Sequence, residues 1–326
     1  MRIKPIIVVA GEPYSVFFEI LFKSLKNKNI KKIKNPILLI GSKILLNNQM
    51  KLLKYNYSIN DISLKNINLS KLENSKINII NVKFNGKKTF DKISKNSNKY
   101  IKNCCEIALK LVRKTKAKVL INGPVSKKYF LKNKFPGMTE YFAAKTGFRN
   151  KEVMLIYNTQ NSVSPITTHI PLKKVIKFIS KKNIIKNVVT INSFYKNYLK
   201  KTPSFAITGI NPHCETTDEF SEENKIILPA IKILKRKKIK VSGPYPADTI
   251  FLKKNLKKFD IFIGMYHDQV LAPIKTIYGF EAINITLGLP FIRITPDHGP
   301  NNFMLGTNKS NPNSLIRAFK FAQKIK

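Results

Sequence analysis

The sequence predicts an α/β protein built on a largely parallel sheet. Three observations predict it. Short runs rich in Val and Ile, bounded by Gly, Pro or Asn, recur along the chain. Amphipathic stretches of helical length lie between them. Hydrophobic residues are 43% of the 326 positions, enough apolar material for a large packed core. Strands that alternate with helices pair in parallel through crossover connections. The chain reads as one catalytic unit of two lobes around that sheet, with a central lobe over roughly 125–270 and the remainder drawn from the two ends.

The elements follow in order. Ile6–Ala10 is an apolar strand that stops at the loop Gly11-Glu12-Pro13. Pro36–Gly41 is framed by the proline and the glycine. Lys51–Lys76 is rich in Asn, Ser and Lys without periodicity and reads as a surface excursion. Ile77–Val82 is the next strand. Phe90–Lys114 reads as the longest helix, with Ile101, Cys105, Ala108 and Val112 near helical spacing. Lys118–Asn122, Glu152–Tyr157, Val163–Thr167 and Ser204–Ile210 are strands. Glu222–Lys238 is a helix that opens on acidic residues and closes on Lys235-Arg236-Lys237-Lys238, as the helix dipole prefers. Asp260–Met265 and Ala282–Leu287 are strands, and Asn313–Lys326 is a closing helix with Leu315, Ile316, Phe319 and Ala322 on one side. No internal repeat is present.

The formal net charge is +42. A charge of that size suggests a polyanion partner. Only six of the sixty basic residues are arginine, however, and the lysines are spread over the whole chain. Arginine carries most specific phosphate and base contacts. Lys, Asn and Ile are abundant together and share A/T-rich codons, so coding bias accounts for the charge and no specific nucleic-acid partner is expected. The apolar run Pro5 to Ala10 is too short for a signal peptide, and no run approaches the roughly 18–20 residues of a membrane span. The expectation is a cytoplasmic protein. Cys104, Cys105 and Cys214 are odd in number, with two adjacent, and form neither a disulfide framework nor a CxxC pair.

The four histidines carry the most information. His169 ends the run VSPITTH, His213 follows a strand in SFAITGINPH, and His267 does so in FDIFIGMYHD. Ligands of open α/β sheets bind beyond the carboxyl ends of the strands. Three imidazoles there suit a catalytic divalent metal with an open position. Their spacings, 44 and 54 residues, match no local zinc motif, and a lone His at a strand end is more often a hydrogen-bonded structural residue. Asp248 in GPYPADT, Asp268 beside His267, and Asp297 before His298 are candidates to orient an imidazole or to move a proton, or else caps and turns. There is no GxGxxG and no GxxxxGK[ST], so an ordinary pyrophosphate turn is not supported. Lys275, Asn284 and Arg293 lie in one stretch of sequence and suit a small phosphorylated anion.

The ordered set GEP, INGPVSK, GMTEYFA, TTHIPL, INPHCE, GPYPADT, MYHDQVLAPIK and NITLGLPFIRITPDHG resembles the 4-hydroxythreonine-4-phosphate dehydrogenase (PdxA) family, from about Gly11 to the C-terminus, most weakly over 27–101. The resemblance implies a fold like that of isocitrate and isopropylmalate dehydrogenases, and a homodimer with active sites near the subunit interface. It implies a divalent metal on His169, His213 and His267: zinc first, with magnesium or cobalt as alternatives. It implies substrate contacts from Met138, Thr139, Lys275, Asn284 and Arg293, and nucleotide contacts near His298 and Gly299. The implied reaction is oxidation of 4-phosphooxy-L-threonine by NAD, with NADP as an alternative. The β-keto acid formed loses CO2 to give 3-amino-2-oxopropyl phosphate for pyridoxal 5′-phosphate biosynthesis. Asp248 and Lys275 are the candidate proton-transfer groups.

Three departures stand out. Met138 occupies the position where the family has a histidine before its threonine, and a thioether donates no hydrogen bond. A glycine-rich loop of the family becomes GEPYSVFFE, and a later stretch becomes Gly299-Pro300-Asn301. They leave two rivals: a dehydrogenase of a related threonate or erythronate phosphate, and a metal-binding family member without catalysis.

Overall fold

The computed structural model describes residues 4–132, 134–214, 221–279, 282–296 and 298–325. The strands are β1 (Ile6–Val9), β2 (Ile37–Gly41), β3 (Ile59–Asp61), β4 (Ile77–Asn81), β5 (Val119–Asn122), β6 (Val153–Tyr157), β7 (Ser162–Pro165), β8 (Phe205–Thr208), β9 (Val241–Tyr245), β10 (Ile261–Gly264), β11 (Ile283–Leu287) and β12 (Ile292–Thr295). The longer helices are α1 (Phe17–Leu25), α2 (Lys43–Leu52), α3 (Asn98–Thr115), α4 (Met138–Thr146), α5 (Lys181–Phe194), α6 (Leu228–Arg236), α7 (His267–Tyr278) and α8 (Asn313–Lys324). None among the described residues is long and apolar enough to cross a membrane. The chain divides into two compact units, Met1–Arg149 with Leu289–Lys326, and Asn150–Gly288.

In the first unit the strands lie in the order β3-β4-β2-β1-β5-β12, and every neighbouring pair is parallel. β1, β2 and β5 are buried along their whole length, as expected of strands covered on both faces. Ile101, Cys104, Cys105, Ala108, Leu111 and Val112 repeat at three- and four-residue steps along α3. That stripe packs with Ile7, Val9, Leu38, Ile40 and Leu120 in one cluster. The helix starts later than expected: a short 3-10 turn, Lys95–Ser97, precedes it, held where the Ser94 hydroxyl accepts from Asn96 N. The C-terminal segment is clamped to α1. Buried Glu19 accepts from Ser310 N at 2.7 Å and Lys23 Nζ at 3.0 Å, while Lys23 Nζ also donates to the carbonyls of Asn308 and Ser310.

In the second unit the order is β11-β6-β7-β10-β8-β9. β7, β10, β8 and β9 run parallel, whereas β6 is antiparallel to both β7 and β11. Met154, Ile156, Val163, Ala206, Phe262, Val270 and Ile274 share its core. The stretch expected as a helix from Glu222 opens instead as a π-helical turn, Glu223–Ile227, before α6. Pro229 stands at the start of α6 and has no N–H to give the preceding turn, so the regular ladder begins only after it.

Three strands escaped the sequence pattern. β3 lies at a sheet edge inside the supposed surface excursion, β9 contains Gly243-Pro244, and β12 follows directly on the turn at Gly288–Pro290.

Glu12 follows β1 and is 2% exposed, and neither carboxyl oxygen has a hydrogen-bond partner. Burial pushes its pKa up to about 7, opposed only in part by the nearby Ser97 hydroxyl and Ser126 amide. The folded chain therefore holds this proton more tightly than the unfolded chain. The associated stability is fully present below the ordinary value of 4.5 and is lost as pH rises through about 7. Glu12→Gln is expected to stabilise the protein by about 3 kcal/mol at pH 8 and by almost nothing at pH 4. Urea unfolding at both pH values checks this; an equal effect at the two would refute it.

Candidate active site

The order β7-β10-β8-β9 decides what comes together in the second unit. His169 lies four residues beyond β7, His267 three beyond β10, His213 five beyond β8, and Asp248 three beyond β9. Because these strands are parallel, all four residues leave the sheet at its carboxyl edge, in spatial succession. Neighbouring strands are about 4.8 Å apart, so the four ends span roughly 15 Å. The rings of His169 and His267 lie 5.9 Å apart, centroid to centroid. His267 Nδ1 is 2.7 Å from Asp268 Oδ1.

Buried polar groups hold this edge. Thr167 Oγ1 and N both donate to Met265 O, which ties the approach to His169 to the approach to His267. Gln269 Oε1 accepts from Thr208 Oγ1 and Met265 N, and its Nε2 donates to Gly209 O. Glu223 fastens the loop before His213. Its Oε1 accepts from the amides of Ile210 and Asn211, and its Oε2 accepts from Asn211 Nδ2. Burial alone would raise this carboxyl, but the bonds from Asn211 and Ile210 outweigh it and hold the group below the usual carboxylate range. His213 and Cys214 both adopt left-handed backbone angles, φ +56° and +58°. Two consecutive non-glycine residues there cost about 1–2 kcal/mol each, the kind of strain that collects at functional sites.

The donor chemistry of three imidazoles fits a divalent metal such as zinc. Among the described residues, no three His, Cys, Asp or Glu side chains are gathered into a complete metal-holding group. His169 and His213 are exposed and His267 is half-buried. Asp248 is exposed in a turn and caps no helix. Lys275 is exposed on α7, eight residues from His267. Asn284 lies on β11, and its Oδ1 is buried without a hydrogen-bond partner.

In the first unit the carboxyl ends of β1, β5 and β12 are aligned by register. Arg293 on β12 is 4% exposed. Its Nε donates to Asn122 Oδ1 at 2.7 Å, its Nη1 donates to Thr139 Oγ1 at 3.0 Å, and the guanidinium lies over the Phe142 ring. Burial lowers its pKa to about 10, with Glu140 and Cys105 acting in the opposite direction. Thr139 is in the first turn of α4. Met138, beside it, belongs to the hydrophobic cluster with Tyr141 and Phe142, so packing fills that position. His298 stacks on Phe17, with Nδ1 3.0 Å from Gly299 O, and Gly299 is exposed. Asp297 lies outside the described residues.

The altered loop after Gly11 is filled with side chains. Tyr14, Val16, Phe17 and Phe18 are all buried. Gly11 has φ +77°, and a Cβ there would lie 2.4 Å from Pro124 O. Glycine is thus needed where two loops touch, while the rest of the loop packs as core. Asn122, Glu223 and Gln269 were not singled out in the sequence, although Asn122 and Gln269 lie inside INGPVSK and YHDQ.

Comparison with known proteins gives a consistent picture. A family model described as pyridoxal phosphate biosynthetic protein PdxA matches residues 32–322. A 4-hydroxythreonine-4-phosphate dehydrogenase of Sulfurihydrogenibium sp. (strain YO3AOP1) is 38% identical over 323 residues, 98% of this chain and 97% of that protein. The crystal structure of 4-hydroxythreonine-4-phosphate dehydrogenase from Klebsiella pneumoniae is similar with a TM-score of 0.83 at 26% identity, covering 98% of each chain. An isocitrate dehydrogenase structure from Methylococcus capsulatus has a TM-score of 0.50 at 8% identity, covering 97% of this chain and 84% of that one, a likeness of fold alone.

Proposed function

The chain belongs to the PdxA family of pyridoxal phosphate biosynthetic proteins, and from that membership we propose that it oxidises and decarboxylates 4-phosphooxy-L-threonine, with NAD and a divalent metal, to 3-amino-2-oxopropyl phosphate. The observation that carries this reading is the succession of His169, His267, His213 and Asp248 at the carboxyl ends of four adjacent parallel strands. When bound, a divalent cation supplies Lewis acidity toward a substrate hydroxyl and NAD accepts a hydride. His169, His213 and His267 would hold the cation through neutral imidazole nitrogens. Asp268 beside His267 Nδ1 favours the tautomer that leaves Nε2 free to ligate. Asp248 and Lys275 are the groups assigned to proton transfer. Arg293, Thr139 and Asn284 are assigned to the anionic and polar groups of the substrate, and His298 with Gly299 to the nucleotide.

We read the protein as a cytoplasmic homodimer. Cys104 and Cys105 are buried free thiols, which suits a reduced compartment. Met138 in the core favours including threonate and erythronate phosphates among trial substrates. The test is a panel of phosphorylated hydroxy acids assayed for NADH and CO2, with and without chelator. 4-Phosphooxy-L-threonine should give both products, and chelator should abolish them. Turnover of another panel member alone, or turnover indifferent to chelator, would overturn the proposal.

A further inference from the structure

We infer that Asn122 is a positioning residue that fixes the Arg293 guanidinium for an oxyanion ligand without adding negative charge beside it. The inference rests on the assignment of Arg293 to the anionic end of the substrate and concerns a residue to which that assignment gives no role.

Asn122 is the last residue of β5 and is 2% exposed. Its Oδ1 accepts from Arg293 Nε at 2.7 Å and from Thr295 Oγ1 at 3.2 Å. Its Nδ2 donates to Gly123 O at 2.9 Å. These three bonds allow only one amide orientation, since a flipped amide would set N–H against N–H at Arg293 and oxygen against oxygen at Gly123. The amide is therefore a fixed acceptor. A guanidinium presents five donors in a rigid planar fork, so gripping Nε sets the plane and direction of the others. Thr139 Oγ1 takes Nη1 from the first turn of α4, and Phe142 lies against the cation.

The choice of amide over carboxylate has an electrostatic consequence. A carboxylate 2.7 Å from Nε would form a buried ion pair and cancel most of the field that Arg293 offers an anion. Asparagine supplies the same acceptor with no net charge. Glu140 also acts on Arg293 through space, from α4, and Cys105 faces it from α3 as a thiol kept neutral by burial. Asn122 adds no further negative group beside Glu140.

The experiment titrates inorganic phosphate at pH 8 by calorimetry into the full chain and into Asn122→Ala, Asn122→Asp and Arg293→Ala, with the melting temperature of each. A core variant that leaves Asn122, Thr139, Phe142 and Cys105 unchanged, Ile101→Val, serves as the stability control. Arg293→Ala should lose phosphate binding. Asn122→Ala should bind at least ten-fold more weakly than wild type, and Asn122→Asp more weakly again, although the aspartate keeps an acceptor for Nε. Ile101→Val should keep wild-type affinity whatever its melting temperature. A purely structural role would instead make affinity follow melting temperature across all the variants. Wild-type affinity in Asn122→Ala or Asn122→Asp would overturn the inference, as would unchanged binding in Arg293→Ala or no phosphate binding by the wild type at millimolar concentration. Turnover is scored separately. If the phosphate pattern holds but 4-phosphooxy-L-threonine is not oxidised, the substrate assignment fails and the role of Asn122 stands.

Discussion

His213→Ala is expected to lose metal affinity and metal-dependent turnover by more than about 100-fold, while melting within a few degrees of wild type. Removing only an outer-shell partner of a metal ligand typically costs 10–100-fold, so removing a ligand should cost more. The fold should tolerate the change because the side chain is exposed and Glu223 holds the loop through Ile210 and Asn211. Alanine keeps the strained φ of +56°, so the backbone cost is present before and after the substitution. Metal affinity is read by competition with a chromophoric chelator, and turnover by NADH formation. His298→Ala is the internal control. That ring stacks on Phe17 in the other unit, and its loss should leave metal affinity unchanged. A His213→Ala protein with wild-type metal affinity would show that the three strand-end histidines do not form one site.

How much of this was legible in the sequence depends on what each element buries. Most of the nine strands read from the sequence announce themselves because a strand covered on both faces is largely apolar, as in the parallel strands Ile6–Val9 and Ile261–Gly264. β3 and β9 are sheet-edge strands and need no such run. β3 carries Asn60 and Asp61, and β9 tolerates Pro244 because an edge strand has ladder donors it does not use. β12 was hidden by Arg293, which interrupts the short run Ile292–Thr295. The direction of β6 could not be read, because pairing sense is a property of the partner and not of the run itself.

The same division holds for the site. That three histidines follow strand ends was visible in the local sequence. That β10 lies between β7 and β8 was not, since sheet order is non-sequential, and their succession along one edge depends on it. Asn122 looked like any other asparagine in an Asn-rich chain. Its part emerges only when β12, a segment about 170 residues away, is laid beside β5.

Arg293→Lys is expected to be nearly as damaging as Arg293→Ala to substrate binding. Hydrogen bonds that involve a charged group contribute about 1.5–3 kcal/mol each, so losing two from an oriented fork corresponds to roughly 10²- to 10⁴-fold in affinity. Lysine keeps the charge but has a single nitrogen, and it cannot satisfy Asn122 Oδ1 and Thr139 Oγ1 from the positions of Nε and Nη1 while facing a ligand. Burial adds to the loss. Arg293 is 4% exposed and already has its pKa lowered to about 10, and a lysine starts from a lower ordinary value and deprotonates more readily in the same place. The lysine variant should therefore lose phosphate affinity progressively as pH rises from 6 to 9, over a range in which wild-type Arg293 stays charged. Steady-state kinetics should place the main effect of both variants in KM, because Arg293 is assigned to binding and not to proton or hydride transfer. An Arg293→Lys enzyme with a wild-type KM and no added pH dependence would show that the guanidinium geometry built by Asn122 and Thr139 serves packing and not recognition.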